Sequence, residues 1–237
     1  MQYKFVLSRS TYYNHLISNR SIDYQISRDF SVRSVFEFGP TISSLKDSKL
    51  SNHIGINALV FLDDGYVVFP RRKKDSTISK NCITSSIATR LLLNPHSEKV
   101  DAKYLFNDNI IIALKERLFL DKDILDKENV KIEIQFLGLG QNIYEGGKPQ
   151  MYFSVRLKGL DYNKFFDITK NTNKTNSNID KDKFYYVAKW SSLHFHKKGD
   201  KLYLTSINQN GKEKKHCFDA EKSMFCNIWH YLLNKNN

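Results

Sequence analysis

Residues 51–72, SNHIGINALVFLDDGYVVFPRR, constrain the fold of this chain more than any other stretch. Ile56, Ala58, Val60 and Leu62 alternate with less uniformly apolar neighbours, which is the period of a partly buried strand. Asp64-Gly65 supplies the positive φ angles of a two-residue hairpin turn. Tyr66 to Phe69 then forms a short β-rich run that ends on Pro70 and the pair Arg71-Arg72. A second strand, loop and strand occupies Ile132 to Leu157, with Gly138, Gly140 and the turn Gly146-Gly147-Lys148-Pro149 between its arms. Between the two hairpins, Asn107 to Leu120 reads as a helix rich in apolar residues.

The two hairpins and their spacing resemble the Nudix hydrolase superfamily, in which the second strand of the opening hairpin commonly runs into an Arg-Arg pair. The later hairpin, with Gly-Gly-Lys-Pro before an aromatic strand, resembles that of certain Nudix-like proteins. The resemblance covers roughly residues 50 to 160. It implies an α/β (α+β) fold, a Nudix-like mixed sheet between helices, with N- and C-terminal extensions.

An active member of that family carries a box of Gly, Glu, an Arg-Glu pair and a Glu-Glu pair on a loop and helix. Its substrate is a pyrophosphate, which a hard divalent cation must neutralise, and such cations take several oxygen ligands. Glutamates one helical turn apart share a face and can share a metal. The helix at 107–120 departs from the box in either frame. With Lys115-Glu116 on the Arg-Glu pair, Phe119 and Leu120 stand where the paired glutamates belong. With Glu116-Arg117 on the Glu-Glu pair, Ile112-Ala113 replaces Arg-Glu. Glu116 is then the single plausible metal ligand. Ile110, Ile111, Ile112, Leu114, Leu118 and Leu120 make this helix mainly a packing element. No cofactor is expected; a divergent hydrolase would need Mg²⁺ or Mn²⁺ on Glu116, with Glu145 or Glu98 in support.

The formal net charge of +12 favours anionic partners, a nucleotide-like small molecule first and nucleic acid as an alternative. Arg71, Arg72, Lys73 and Lys74 form the densest cluster. The resemblance puts this strand end beside the ligand cleft, where arginine can bond two phosphate oxygens at once. A solvated strand end is the equal alternative. Lys148 and Tyr152 join Arg71, Arg72 and Lys73 as candidate ligand contacts, Tyr152 by stacking on a base. Glu145, in the turn of the second hairpin, is either a catalytic base outside the box or a solvated turn residue. Serines and threonines crowd 76–89, either as phosphate donors or as turn and helix caps. His194-x-His196 and the Cys226/His230 pair could each lend ligands to zinc, which wants three or four. No P-loop, dinucleotide fingerprint or Gly-x-Ser-x-Gly elbow accompanies them.

The chain divides on paper into an N-terminal extension (1–50), a Nudix-like core (51–165), a polar loop (166–182) and C-terminal strands and helix (183–237). The extension should hold a strand at Tyr3 to Leu7, a short helix at Thr11 to Ser18 and a strand at Val32 to Phe38. Asp121 to Glu128 reads as a charged connection, in which Ile124 and Leu125 could extend a helix, and Lys170 to Asp182 as a loop too polar to bury area. Strands follow at 184–190, 194–196 and 201–207, with a hairpin at Asn210-Gly211. Asp219 should cap a last helix whose apolar face is Met224, Phe225, Ile228, Trp229, Leu232 and Leu233. The three cysteines are too scattered for a disulfide framework. Neither a signal peptide nor a membrane span is evident, so a cytoplasmic location is expected. The leading functional expectation is recognition of a nucleotide-derived ligand without standard hydrolysis, in a sensor, regulatory or defence role. The alternatives are a divergent metal-dependent hydrolase of a nucleoside diphosphate derivative, a protein-interaction scaffold and a basic nucleic-acid binder. The oligomeric state is open.

Overall fold

A computed structural model describes residues 6–37, 41–72, 82–93, 102–175, 185–198, 201–207, 213–214 and 222–235. The chain forms two compact units, one of residues 1–55 with 139–150 and one of 56–138 with 151–237. The turn of the second hairpin therefore groups with the N-terminal segment.

Unit 1 begins with α1 (Tyr12–His15), a π-helical turn (Leu16–Arg20), the hairpin β1 (Gln25–Ser27) and β2 (Phe30–Ser31), and α2 (Val32–Phe36). Thr11 starts α1 by accepting from the Asn14 N–H at 3.1 Å. Residues 32–36 are a helix where β-branched and aromatic content suggested a strand. The cause is local: the Ser31 hydroxyl accepts from the Ser34 N–H, and the Ser34 hydroxyl accepts from the Ser31 N–H. Ile22, Val32 and Leu50 form a small apolar cluster. Of the expected strand at 3–7, residues 3–5 lie outside the described residues and 6–7 have no regular structure.

Unit 2 is built on a mixed sheet. Its strands are β3 (Gly55–Leu62), β4 (Tyr66–Pro70), β5 (Ile87–Arg90), β6 (Lys131–Asn142), β7 (Lys148–Lys158) and β8 (Tyr185–Lys189). Their order is β6-β7-β3-β4-β8, with β5 also paired to β3. Every residue of β3 is buried, so the strand is central and not half-exposed. Val60 faces Val68 and Phe61 faces Val67 across an antiparallel ladder. Residues 63–65 make a three-residue connection, one longer than expected, and Gly65 takes φ +80°.

The helices of unit 2 are α3 (Ala102–Leu118), α4 (Lys122–Lys127), α5 (Tyr162–Thr175) and α6 (Lys222–Lys235). Adjacent strand residues point to opposite faces. Phe153 of β7 meets Phe106 of α3 with ring centroids 5.8 Å apart, and Tyr152 stacks on His230 of α6 at 4.7 Å. The sheet of unit 2 thus lies between α3 and α6. The α6 side holds an apolar cluster, with Leu59, Phe61, Val67, Phe69, Met224 and Ile228 among its members. Three more strands, β9 (Leu193–Lys198), β10 (Lys201–Ile207) and β11 (Glu213–Lys214), form an antiparallel sheet in the order β11-β10-β9.

Three local expectations change in this unit. Residues 122–127 form a helix of their own, because Asp121 accepts from the Ile124 N–H at 2.9 Å. The polar segment expected as a loop from Lys170 is helical through Thr175. Asp161 accepts from the Lys164 N–H at 2.9 Å, Phe165 is buried, and an established helix extends through polar residues at little cost. On α6 the buried stripe is Met224, Asn227, Ile228 and Tyr231, whereas Trp229, Leu232 and Leu233 are exposed. Asn210-Gly211 and Asp219 lie outside the described residues.

Candidate functional site

Among the described residues a cluster of charged side chains lies in unit 1, around the turn of the second hairpin. The Ile143–Glu145 turn is a single 3-10 turn capped by Asn142, whose side chain accepts from the Tyr144 N–H at 3.1 Å. The same amide donates to Glu145 Oε2 at 3.0 Å. Gly146 and Gly147 follow at φ +59° and +80°. A Cβ on Gly146 would come within 2.5 Å of Leu50 Cδ1, and one on Gly147 within 2.3 Å of Ile42 Cγ2. Both conformation and space therefore require glycine here.

This turn aims Glu145 at three basic groups. Lys148 Nζ donates to Oε2 at 3.1 Å. Arg20 Nε stands 3.4 Å from Oε1, close enough to pair electrostatically but without a hydrogen bond. His15 Nε2 stands 3.8 Å from the same oxygen. Asn19 locks the helical turn to the hairpin: its amide donates to the Glu145 carbonyl at 2.8 Å and to Asn52 Oδ1 at 3.1 Å. Its own oxygen accepts from the Asn52 N–H at 2.8 Å. The π-helical turn carries Asn19 and Arg20, and such turns often mark sites where side chains must be re-aimed. The His53 ring lies 5.3 Å from that of His15.

Burial raises the proton affinity of Glu145, but Lys148, His15 and Arg20 together hold its carboxyl below the ordinary range. A carboxylate so held is a weak proton acceptor. It acts as the hub of an ion cluster, and with its side chain 20 % exposed it is not a fully solvated turn residue. Burial first, and the Lys148 ammonium second, push His15 down to about 4, so its imidazole is neutral near pH 7.

The other anticipated residues lie elsewhere. Arg71 and Arg72 stand half-buried at the end of β4 in unit 2. Arg71 bridges antiparallel to Ile83, and the Arg72 N–H donates to the Cys82 carbonyl at 2.9 Å. Lys73 and Glu98 lie outside the described residues. Tyr152 is 5 % exposed, and one face of its ring is covered by His230. Glu116 is exposed on α3, whose Ile110, Ala113, Leu114 and Leu118 are buried. Among the described residues no three His, Cys, Asp or Glu groups converge as metal ligands would. Of the crowded hydroxyls, Thr84, Ser85 and Ser86 are buried. Ser86 joins β3 to β4, accepting from the Val60 N–H at 2.7 Å and donating to the Val68 carbonyl at 2.5 Å.

Sequence reasoning picked out Glu145 and Lys148, which do meet. It missed His15, Arg20 and Asn19. No local pattern marks these three, because their partners lie far along the chain; Asn19 and Glu145 are 126 positions apart.

No protein-family model matches the chain, and no curated protein matches it. Among solved structures, the chain is similar to the crystal structure of DR0079 from Deinococcus radiodurans, with 13 % identity and a TM-score of 0.30. That match covers 45 % of this chain and spans 55 % of the other, about half its length.

Proposed function

We propose that the chain is a Nudix-like protein that recognises a nucleotide-derived anion and leaves it intact. The observation that carries this reading is the role of α3. The helix on which the family's acids would sit turns Ile110, Leu114 and Leu118 into the protein and keeps a single glutamate, Glu116, on its exposed side. Three to four oxygen ligands for a hard cation are what pyrophosphate hydrolysis by the family's route requires. Arg71 and Arg72 serve as the phosphate anchors. Their backbone is fixed by the pairing to 82–83, and their half-buried side chains start from a rigid strand end. The positive charge of the whole chain draws an anionic ligand towards it.

Calorimetric titration with nucleoside diphosphates and dinucleotides tests the assignment of the anchors. Replacing both arginines by alanine should weaken a nucleotide found to bind by about 100-fold, as loss of charge-assisted contacts does. Equal affinity for the wild type and the double variant would remove Arg71 and Arg72 from the site. Salt-steep binding to single-stranded and duplex DNA alike would favour a nucleic-acid partner.

A further inference from the structure

The Glu145 cluster of unit 1 holds more positive charge than its carboxylate balances. Near pH 7, Arg20 and Lys148 each carry a charge, His15 is neutral and Glu145 supplies one negative charge. The surplus is one unit. The cluster also holds polar atoms without hydrogen bonds: both ring nitrogens of His15, and Nε of Arg20, are buried and unpartnered. Buried donors are almost always satisfied, by protein, by ordered water or by a bound ligand. Arg20 Nε and His15 Nε2 both face Glu145 Oε1, at 3.4 and 3.8 Å, without a hydrogen bond to it. His15 is 1 % exposed and closes the inner end. The side chains of Lys148, Arg20 and Glu145 are 11 %, 23 % and 20 % exposed, which gives the cluster a route to solvent.

We propose that His15, Arg20 and Lys148 form a binding site for a small singly charged oxyanion, a carboxylate or a phosphate in its monoanionic form. Oxygen acceptors satisfy the Arg20 Nε–H and one His15 N–H together, and a single negative charge brings the cluster to neutrality. Glu145 stays ion-paired to Lys148 and orients the cations; it also rejects ligands of higher charge. The other ring nitrogen of the neutral imidazole is an acceptor and takes its hydrogen bond from a donor, not from the anion. This site is independent of Arg71 and Arg72, which belong to unit 2.

The test is a titration of the full chain with inorganic phosphate and, separately, with acetate, at constant ionic strength set by chloride. The readout is the imidazole resonances of the histidines. The expected result is a saturable shift of His15, with a rise in its pKa as the anion binds, because an adjacent negative charge favours the imidazolium. Saturation by phosphate alone identifies a phosphoryl site, and saturation by acetate alone a carboxylate site. Arg20→Ala should weaken the response at least tenfold, and Arg20→Lys, which keeps the charge and the fold, should weaken it less. The Arg71→Ala/Arg72→Ala variant should bind as the wild type does, so failure here is separable from failure of the nucleotide reading. A linear response equal to that of added chloride, in a wild-type protein that is folded by circular dichroism, would overturn the proposal.

Discussion

Helix α3 in unit 2 and the Ile143–Glu145 turn in unit 1 each present one glutamate, in opposite surroundings. Glu116 stands on the exposed side of a helix whose other face is apolar and fully packed. Glu145 is largely buried, accepts from Asn142 and Lys148, and faces Arg20 and His15. A periodic helix delivers its charge to solvent because its packing face leaves no other place for it. A turn between two long strands can bring a carboxylate among groups from distant segments. Charge that does work in a protein is concentrated by such convergence.

The comparison breaks most visibly in α3. Leu114 is fully buried, and Leu114→Ala should cost about 2–5 kcal/mol in urea unfolding. A loss below about 1 kcal/mol would show that α3 is not a packing helix. The next effect is pH-dependent and belongs to unit 1. The folded His15 titrates near 4 against an ordinary value of 6.5. Between those values the unfolded chain binds a proton that the folded chain does not. Stability should therefore be constant above 6.5 and fall as pH drops from 6.5 towards about 4. At the limit the loss is about 3 kcal/mol. Glu145, whose folded value is depressed, adds a further loss at lower pH, as its carboxylate is protonated. Hydrogen exchange read on unit 1 against pH checks this, and His15→Gln should flatten the upper part of the profile.

Asn19→Ala sharpens the same contrast. It strips partners from the Asn52 N–H and the Glu145 carbonyl and should cost about 1–3 kcal/mol in urea unfolding. The smallest effect is that of Glu116→Gln, expected within about 0.5 kcal/mol of the wild type. A markedly larger value from the same unfolding curves would give Glu116 a structural role that its exposure does not suggest.

Much of unit 2 was legible. The strand at 55–62, the strand at 66–70 and the hairpin at 131–158 follow from apolar runs punctuated by glycine, and the packing role of α3 follows from Ile110, Leu114 and Leu118, whereas Ile112, expected to pack with them, is exposed. The faces of α6 were half legible: six apolar residues cover more than one stripe, and only tertiary packing selects Met224, Ile228 and Tyr231 for burial. Residues 32–36 misled because a pair of serine caps outweighs strand propensity over five residues. The Glu145 cluster was legible only at Glu145 and Lys148, three positions apart. Helix α1 and the π-helical turn, which supply His15 and Arg20, are held there through long-range hydrogen bonds of Asn19, which no local period encodes.

The most direct test of recognition without hydrolysis is a thermal-shift screen of nucleotides and dinucleotides, with and without Mg²⁺ or Mn²⁺, with product analysis of each stabilising compound. A compound should raise the melting temperature, be recovered intact in the presence of either metal, and lose its effect in the Arg71→Ala/Arg72→Ala variant. A compound cleaved only when metal is present, with cleavage abolished by Glu116→Gln, would contradict it and make the chain a divergent hydrolase.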